Sequence, residues 1–319
     1  MTQKQSESEE APILVIGAIT ADISITAESF NQGKMNRGTS SYTLGGVGWN
    51  IARNLSALDL PVKLISAVGN DAFGMEALKE ADKWGIDTSD VVIKDERSTP
   101  TILIATHADG SESLSVKSPN VLDSITRDSL ESIRETIHLS KYCILDGSLE
   151  PEVLAGIREL LPEATILLDP ASEEEADKLV EVFTLADIIK PNQSEAEIWA
   201  DQKISSNEDA KRAVDSLMKK GAKQIVLPLE DGGAVYNDSN SIRRLKGIQV
   251  DPVNTTGAGD AFLSGLIYGL VKDCSLEKAV RMGMAASVMT LQTEEIIHPE
   301  LSPEALFIQV EEILKEATD

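Results

Sequence analysis

Short apolar runs alternate with amphipathic segments along most of the chain, and this alternation constrains the fold more than any other feature. The first run is "ILVIGAITADISI" from Ile13, after which "GGVGWNIARNLSAL" opens a helix on glycines. The strand pattern recurs in "VKLISAVG", "YCILDGS", "ATILLDPAS" and "KQIVLPL", with helical sequence between the runs. Because strands that alternate with helices form βαβ units, we predict an α/β fold with a mostly parallel central sheet.

Two segments depart from this rhythm and predict a small accessory sheet. Residues of about 22–43 are polar and β-leaning, and residues 99–117 form a hairpin pattern around the turn "ADGSE". We expect the two pieces to pair over one edge of the main sheet. No repeat and no long linker divides the chain. We therefore predict a single domain over residues 13–319, although about 150 residues per domain is the common prior.

Composition narrows the possible partners. The formal net charge is −24 over 319 residues, which argues against nucleic acid and anionic membrane surfaces. No apolar run reaches the roughly 18 residues that a membrane helix needs. Residues 1–12 are polar and acidic and match neither a signal peptide nor a transit peptide. We predict a short disordered tail there, on a soluble cytoplasmic protein.

Cysteine and histidine are too scarce for several kinds of site. Two cysteines, Cys143 and Cys274, lie in apolar settings and give no disulfide framework. Three histidines are scattered along the chain, at positions 107, 138 and 298. This leaves little from which a histidine metal site or a Ser/His/Asp triad could be built.

The stretch "TTGAGDAF" sets one carboxylate behind a loop of almost no side chains. Gly257, Ala258 and Gly259 leave their N–H groups unobstructed, and the apolar run that follows predicts a helix with a positive N-terminal end. Such a loop suits phosphate, and Asp260 beside it can accept a proton from an attacking hydroxyl. The alternative is a tight turn before a helix with an acidic first turn.

A second glycine motif, "GGVGWNIARNL", also precedes a predicted helix. Gly45 and Gly46 let a ligand approach the backbone closely, and Asn50 can offer its amide to that ligand. The alternative is a packing turn between a strand and a helix. The sequence contains no Walker A loop, and no G-x-G-x-x-G is followed by a suitable acid, so a dinucleotide-binding site is excluded.

Two further polar motifs stand at predicted strand ends. Asp22 follows the first strand, where open α/β sheets bind ligands, and its carboxylate can accept hydrogen bonds from sugar hydroxyls. Asn192 and Glu195 in "KPNQSEAE" are three residues apart at a helix start, which suits Mg²⁺ held with a nucleotide phosphate. The alternatives are a surface turn for Asp22 and a capping box for the other pair.

Taken together, these motifs resemble the ribokinase-like family of sugar and nucleoside kinases, also called the PfkB family. Their order is an acid after the first strand, Gly-Gly-x-x-x-Asn, Asn-x-x-Glu and Gly-Ala-Gly-Asp, and the likeness runs from Ile13 to about Ile313. The resemblance implies a ribokinase-like α/β/α sandwich with a small β-sheet lid. It also implies a homodimer, because lid strands in this family often pair between subunits.

The resemblance further implies a role for each matching residue. Asp260 matches the catalytic base, and the anion hole matches Gly257, Ala258 and Gly259. The positions similar to sugar-binding residues are Asp22, Gly45, Gly46 and Asn50. Those similar to ATP-site residues are Asn192, Glu195, Gly233 and Thr256, with Glu195 and, through water, Asn192 holding Mg²⁺. Asn254 stands where most relatives carry an acid that helps hold a monovalent cation, so a potassium requirement stays open.

The expected activity is ATP- and Mg²⁺-dependent phosphorylation of a hydroxymethyl group on a ribosyl compound. The run "NQGKMNRGTSSYTLGGVGWNIARNL" is similar to kinases that act on pseudouridine, which is therefore the expected acceptor. Ribose, another nucleoside or another sugar are the alternatives.

Several residues depart from the pattern of these relatives. Trp49 stands where Arg is usual, and "VKSPN" at 116–120 stands where an Asp-Met pair is expected after the lid hairpin. Pro228 and Glu230 stand where relatives place Thr or Ser and then Gly, at positions that the resemblance implies are near the nucleotide phosphates. Pro228 removes an N–H and a hydroxyl, and Glu230 adds negative charge. These departures leave open a second class of function, a non-catalytic protein that binds a sugar or nucleoside on the same scaffold.

Overall fold

The computed structural model describes residues 11–31, 33–238, 241–248 and 250–316. The strands are β1 (Ile13–Ile16), β2 (Thr20–Ala27), β3 (Gly38–Gly45), β4 (Val62–Ile65), β5 (Ala67–Gly69), β6 (Val92–Lys94), β7 (Thr101–His107), β8 (Glu112–Lys117), β9 (Tyr142–Asp146), β10 (Thr165–Asp169), β11 (Ile188–Ile189), β12 (Gln224–Pro228), β13 (Ala234–Asp238) and β14 (Ser241–Leu245). The helices are α1 (Val47–Ala57), α2 (Ala72–Lys83), α3 (Arg127–Ser132), α4 (Arg134–Ile137), α5 (Pro151–Leu160), α6 (Glu173–Lys178), α7 (Gln193–Ala200), α8 (Asn207–Lys219), α9 (Ala258–Val271), α10 (Leu276–Leu291) and α11 (Pro303–Glu316). Residues 1–10 of the predicted tail lie outside the described residues. The prediction of a single domain stays a prediction.

The central sheet has eight strands in the order β14-β13-β12-β11-β10-β9-β1-β4. The six strands from β12 to β4 run parallel, and β13 and β14 extend one side as an antiparallel hairpin. All four residues of β1 are buried, with Ile13 and Val15 in one core and Leu14 and Ile16 in the other. Strands covered on both faces are apolar throughout. The prediction of a mostly parallel sheet is confirmed.

Helices cover both faces of this sheet, which gives the α/β/α sandwich. One core joins the sheet to α1, α2, α9, α10 and α11, and the other joins it to α3, α5, α7 and α8. The central helix α9 is apolar nearly all round and packs closely against α10. A Cβ added at Gly265 would lie 2.4 Å from the carbonyl oxygen of Met282, so glycine permits this approach. Within the described residues, no helix is both long and apolar enough to cross a membrane.

A separate four-stranded sheet forms the lid, in the order β3-β2-β7-β8. The two predicted non-helical segments pair through β2 and β7, which are parallel, and each also forms an antiparallel pair of its own. Side chains alternate between the two faces of a sheet. The register therefore sets Asp22, Ile102 and Lys117 on one face of the lid, and Leu103 and Val116 on the other.

The run "VKLISAVG" differs from its prediction as a single strand. It divides at Ser66 into β4, which pairs with β1, and β5, which pairs with β6 in a two-stranded parallel sheet. The carbonyl oxygen of Ser66 accepts a hydrogen bond from Val92 N at 2.9 Å. The chain thus changes its partner within one apolar run, which a pattern of apolar residues does not reveal.

Candidate active site

Charged side chains gather at the carboxyl edge of the parallel strands. Asp146 and Asp169 are the last residues of β9 and β10, and Lys190 directly follows β11. These three are buried, as is Asp260 in the first turn of α9. Because the carboxyl ends of parallel strands meet at one edge, this is where an open α/β sheet binds its ligand.

Three of these four residues were missed by sequence reasoning. The signal was present in two of them, because "YCILDGS" and "ATILLDPAS" each carry an aspartate where the apolar run ends. Lys190 stands beside the Asn-x-x-Glu motif, but nothing in the sequence says that its side chain turns toward the strand edge. The order of the strands brings these groups together, and that order is a tertiary property.

Asp260 is held by Asn50 across two helices. The Asn50 Nδ2 donates a hydrogen bond to Asp260 Oδ2 at 2.8 Å, and both residues are buried. The carbonyl oxygen Oδ1 of Asn50 is also buried and has no hydrogen-bond partner among the described residues. The pair therefore fixes the carboxylate while leaving a polar atom available to a ligand. The predicted catalytic and sugar-binding motifs do come together in space.

The surroundings of Asp260 raise its pKa to about 8. Burial is the largest cause, and the negative charge of Asp169 adds to it. The hydrogen bond from Asn50 and the charge of Lys190 oppose the rise. A group whose pKa lies near neutral pH is suited to accept a proton in one step and release it in another.

Lys190 supplies buried positive charge next to the glycine loop. Its Nζ lies 2.7 Å from Asp169 Oδ2 and donates to the carbonyl oxygen of Gly259 at 3.3 Å. Burial alone would lower the pKa of Lys190, but the carboxylates of Asp169, Glu195 and Asp260 outweigh it and raise the pKa. The ammonium group is therefore charged, and it connects the end of β10 to the start of α9.

The two glycine motifs leave the helices behind them without a side-chain cap. The N-cap residues Gly46 of α1 and Gly257 of α9 have φ of 94° and 81°, and neither helix end has a side-chain cap. By contrast, α2 and α8 are capped by Asp71 and Ser206. Uncapped first-turn N–H groups can bind an anion. Packing also requires glycine at 257, because a Cβ there would lie 2.5 Å from the carbonyl oxygen of Ile296.

Asn192 and Glu195 form a capping box, which was the alternative to a magnesium site for this pair. Glu195 N donates to Asn192 Oδ1 at 2.9 Å, and Asn192 N donates to Glu195 Oε2 at 2.7 Å. Burial raises the pKa of Glu195 to about 7, with a further rise from Asp169 and an opposing effect of Lys190. The capping geometry does not test the predicted metal role, which stays a prediction.

The donor atoms at this edge fit Mg²⁺ only as part of a larger set. Carboxylate oxygens of Glu195 and Asp169 are the hard ligands that Mg²⁺ prefers, and a divalent cation would offset their mutual repulsion. Across residues 11–316, with the few undescribed positions left out, no group of three or more His, Cys, Asp or Glu side chains is arranged to hold a metal. Mg²⁺ here would need water and phosphate oxygens to complete its coordination.

Two cavities are lined by residues that neighbour Asn50 and Asp260 in the chain, with Gly46 at the smaller one and Thr255 and Phe262 at the larger one. The larger, of about 400 Å³, is lined by residues that include Pro228, Glu230, Gly232, Gly233, Thr255 and Phe262. The smaller, of about 120 Å³, lies under the lid and is lined by residues that include Thr20, Gly46, Lys117, Asn120, Ser148 and Glu175. Gly233 and Thr255 line the larger cavity, and the predicted ATP-binding roles of Gly233 and Thr256 stay predictions. Two cavities of about 660 Å³ each lie at the other end of the strands, next to Lys141.

Asp22 and Gly45 meet at the base of the lid. Asp22 lies within β2 and not directly behind β1, and it accepts a hydrogen bond from Thr20 Oγ1 at 2.6 Å. Burial raises the pKa of Asp22, although this hydrogen bond opposes the rise. A Cβ added at Gly45 would lie 2.1 Å from Asp22 Oδ2, so glycine leaves room for the carboxylate.

Asn254 lies in the loop before α9, where its side chain holds two backbone segments. Its Nδ2 donates to the carbonyl oxygen of Glu294 at 3.1 Å, and its Oδ1 accepts from Thr256 N at 2.9 Å. The carboxamide therefore has a structural role in this loop. Its predicted contribution to a monovalent cation site stays a prediction.

Comparison with known proteins confirms the family expected from the motifs. The chain matches the pfkB family carbohydrate kinase over residues 11–303. It is 29% identical over 296 residues to the pseudouridine kinase of Escherichia coli strain K12, covering 92% of this chain and 95% of that protein. It is also 29% identical over 298 residues to the guanosine-inosine kinase of Exiguobacterium acetylicum, covering 91% and 97%.

The fold agrees with this assignment. The structure is similar to that of a ribokinase from Thermotoga maritima, with a TM-score of 0.81 at 20% sequence identity, covering 96% of this chain and 99% of the other. The predicted ribokinase-like sandwich with a small lid sheet is therefore confirmed. With a family match across most of its length, the chain belongs to the pfkB family of carbohydrate kinases, and it is a phosphotransferase that acts on a sugar or a nucleoside.

Proposed function

We propose that the protein transfers the γ-phosphoryl group of ATP to the hydroxymethyl group of a ribosyl compound, with pseudouridine as the acceptor and pseudouridine 5′-phosphate as the product. One observation carries the proposal. The buried Asn50–Asp260 contact joins α1, whose N-cap Gly46 lines the smaller cavity under the lid, to α9, where Phe262 lines the larger cavity. We assign the nucleotide to the larger cavity and the acceptor to the smaller one. The contact is where a base should stand if a phosphoryl group passes from one cavity to the other.

The donor side has the groups that phosphate requires. In this proposal ATP occupies the larger cavity beside Gly233 and Thr255, with its phosphates toward the uncapped start of α9. Lys190 adds positive charge beneath Gly259. Asn192 and Glu195 would hold Mg²⁺ through water and phosphate oxygens, and the ion would neutralise charge on the transferring group.

On the acceptor side, Asp260 acts as the general base. The acceptor hydroxyl gives its proton to Asp260 as its oxygen forms a bond to the γ-phosphorus. The bond between that phosphorus and the bridging oxygen breaks, and ADP leaves. Asp22, Gly45, Gly46 and Asn50 are proposed to hold the sugar. The similarity to a pseudouridine kinase and a guanosine-inosine kinase supports a ribosyl nucleoside as the acceptor.

A coupled assay of ADP release tests this function. Pseudouridine, guanosine, ribose and 2-keto-3-deoxygluconate are compared as acceptors at saturating ATP and Mg²⁺, with and without K⁺. We expect the highest kcat/KM with pseudouridine. A higher kcat/KM with ribose would mean that ribose is the acceptor, and the protein would still be a kinase. No turnover with any acceptor, from protein shown by circular dichroism to be folded, would contradict the proposed function.

A second candidate is a non-catalytic protein that binds a sugar or nucleoside. Pro228 and Glu230 both line the larger cavity, and the Glu230 carboxylate would add negative charge beside the nucleotide phosphates. This candidate predicts that pseudouridine binds and that ATP does not. Isothermal titration calorimetry with a non-hydrolysable ATP analogue and Mg²⁺ separates the two, because the kinase must bind the analogue.

We also propose that the protein is a cytoplasmic homodimer that associates through the lid. The lid face with Leu103 and Val116 is apolar and lies opposite the face that covers the smaller cavity. Association there would leave the acceptor cavity accessible. The proposed function needs no nucleic acid or membrane partner.

A further inference from the structure

We propose that Glu175 and Lys117 recognise the substituent on C1 of the acceptor, and that they select a base carrying an N–H group beside a carbonyl. The inference rests on the proposed function, because it concerns the acceptor side of the same site. Glu175 belongs to α6 of the sandwich and Lys117 to β8 of the lid, and both line the cavity of about 120 Å³.

The position of this cavity relative to the base suits a ribosyl compound. Gly46 lines the cavity and Asn50 contacts Asp260, and the two residues bracket the first turn of α1. Four residues of α-helix rise by about 6 Å. A ribose ring has the length to reach from a hydroxymethyl group at Asp260 to a C1 substituent in the cavity. Neither Asn50 nor Asp260 lines the cavity, so in this placement the cavity holds the C1 end of the acceptor and not its reacting end.

Glu175 is a fixed carboxylate with one oxygen that is free to bind. It is 9% exposed, and Lys178 lies 2.6 Å from its Oε2. Its Oε1 lies 3.8 Å from the Nζ of Lys117, which is too far for a hydrogen bond. Among the described residues, no hydrogen bond to Oε1 is present. An ionised carboxylate can only accept hydrogen bonds, so the group that fits Oε1 is an N–H or O–H.

The neighbours of Glu175 supply the complementary donors. Lys117 carries only N–H donors, and its carbon chain extends from the lid strand over the cavity. Asn120 also lines the cavity, and its Oδ1 accepts from Leu122 N at 3.0 Å, so its amide N–H groups remain for a ligand. One acceptor flanked by donors matches an N–H group flanked by carbonyls.

This arrangement distinguishes classes of base. The uracil ring of pseudouridine and uridine offers an N–H between carbonyls. Cytidine offers a ring nitrogen lone pair at the corresponding place, and a buried carboxylate repels a lone pair. A site built to bind an N–H rejects an analogue without it strongly, because its own polar groups would be left unpaired. Ribose carries no base, so its phosphorylation should be independent of Glu175.

The test measures kcat/KM for pseudouridine, uridine, cytidine and ribose with the whole protein and four variants. In Glu175→Gln and Lys117→Met, the two recognising groups are changed. Glu174→Gln is the matched control, because Glu174 is an exposed neighbour in the same helix. Lys178→Met removes the ion pair at 2.6 Å but keeps the Glu175 carboxylate, so it reports any purely structural effect.

We expect Glu175→Gln to raise KM for pseudouridine about tenfold or more, with kcat and the KM for ATP little changed. The preference for pseudouridine over cytidine should shrink in the same variant, because a glutamine amide can also donate to a lone pair. Lys117→Met should act in the same direction, and ribose should be phosphorylated equally by all variants.

Equal effects of Glu175→Gln and Glu174→Gln on pseudouridine would overturn the inference and leave the proposed function standing. A wild-type protein that phosphorylates ribose but no nucleoside would overturn the inference and the proposed acceptor together. A loss of pseudouridine binding in Lys178→Met as large as in Glu175→Gln, measured by calorimetry, would assign Glu175 a structural role instead.

Discussion

At the scale of single residues, the chemistry of Asp260 depends on groups that four other elements provide. Asn50 comes from α1, Asp146 and Asp169 from the ends of β9 and β10, and Lys190 from the residue after β11. Sequence motifs predicted Asp260 and Asn50, because a glycine-flanked helix start is a local pattern. They did not predict the other three, because only the parallel order of the strands brings those side chains to the same edge.

Replacing the proposed base tests its role directly. Asp260→Asn should reduce kcat by roughly 10² or more, because the acceptor hydroxyl loses its proton acceptor. The fold and acceptor binding should persist, since an asparagine oxygen can still accept the hydrogen bond from Asn50. Steady-state kinetics and calorimetry measure the two properties. The control is Asp82→Asn, an exposed position on α2. Near-normal turnover of Asp260→Asn would refute the assigned role.

The raised pKa of Asp260 predicts how the rate depends on pH. With a pKa of about 8, the carboxyl is protonated in neutral solution and cannot accept a proton until the pH rises. The kcat/KM for the acceptor, which reports on the free enzyme, should therefore increase as pH passes through about 8. The check is to measure kcat/KM for the acceptor at several values from about pH 6 to about pH 9. A flat profile over this range would argue against a base with such a pKa.

The raised pKa of Asp260 also affects stability, which should fall as the pH rises. The folded chain binds a proton at Asp260 more tightly than the unfolded chain, whose aspartate titrates near 3.8. The free energy of unfolding contributed by this group therefore falls as pH rises from about 4 to about 8. Asp260→Asn removes the effect, so its Tm should exceed that of the wild type increasingly with pH. Differential scanning calorimetry at about pH 5 and about pH 8, near the two ends of that interval, measures the difference in Tm between the two proteins. An unchanged Tm difference would contradict it.

At the scale of elements, helix starts occur both with and without a side-chain cap. The starts of α1 and α9 have no side-chain cap and face the proposed site, whereas α7 and α8 are capped by Asn192 and Ser206. Both kinds of start were recognisable in the sequence as glycine motifs or as a polar residue before a helix. The division of one apolar run between β4 and β5 was not, because pairing partners and not local propensity decide it.

The two capped helices allow a matched test of Asn192. Asn192→Ala and Ser206→Ala each remove an N-cap, so each should lower the free energy of unfolding by about 1 kcal/mol. Only Asn192→Ala should also raise the KM for Mg²⁺-ATP, because only Asn192 is proposed to hold Mg²⁺ through water. Chemical denaturation and kinetics at varied Mg²⁺ measure the two effects. If both variants had the same KM, Asn192 would be a helix cap and nothing more.

At the scale of the whole molecule, the lid has two faces with different chemistry. One face carries Asp22 and Lys117 and covers the smaller cavity, which is the proposed acceptor site. The opposite face carries Leu114 and Val116, whose side chains are large, apolar and exposed. An exposed apolar sheet face typically marks a site of association. The sequence predicted that the lid segments pair, but the register that separates the two faces was visible only in the structure.

The apolar lid face predicts that two copies of the chain associate through it. Leu114 is 55% exposed, and Leu114→Lys would bury a charge in such an interface. We expect the wild type to sediment as a dimer and Leu114→Lys to weaken the dimer at least about tenfold. Leu139→Lys is the control, because Leu139 is 64% exposed next to the cavities at the opposite end of the strands. Sedimentation velocity over a range of concentrations distinguishes the three proteins.

Since Leu114 faces away from the smaller cavity, Leu114→Lys should bind pseudouridine normally if the lid folds in the monomer. A wild type that stays monomeric at all concentrations would contradict the prediction, as would equal weakening by Leu139→Lys.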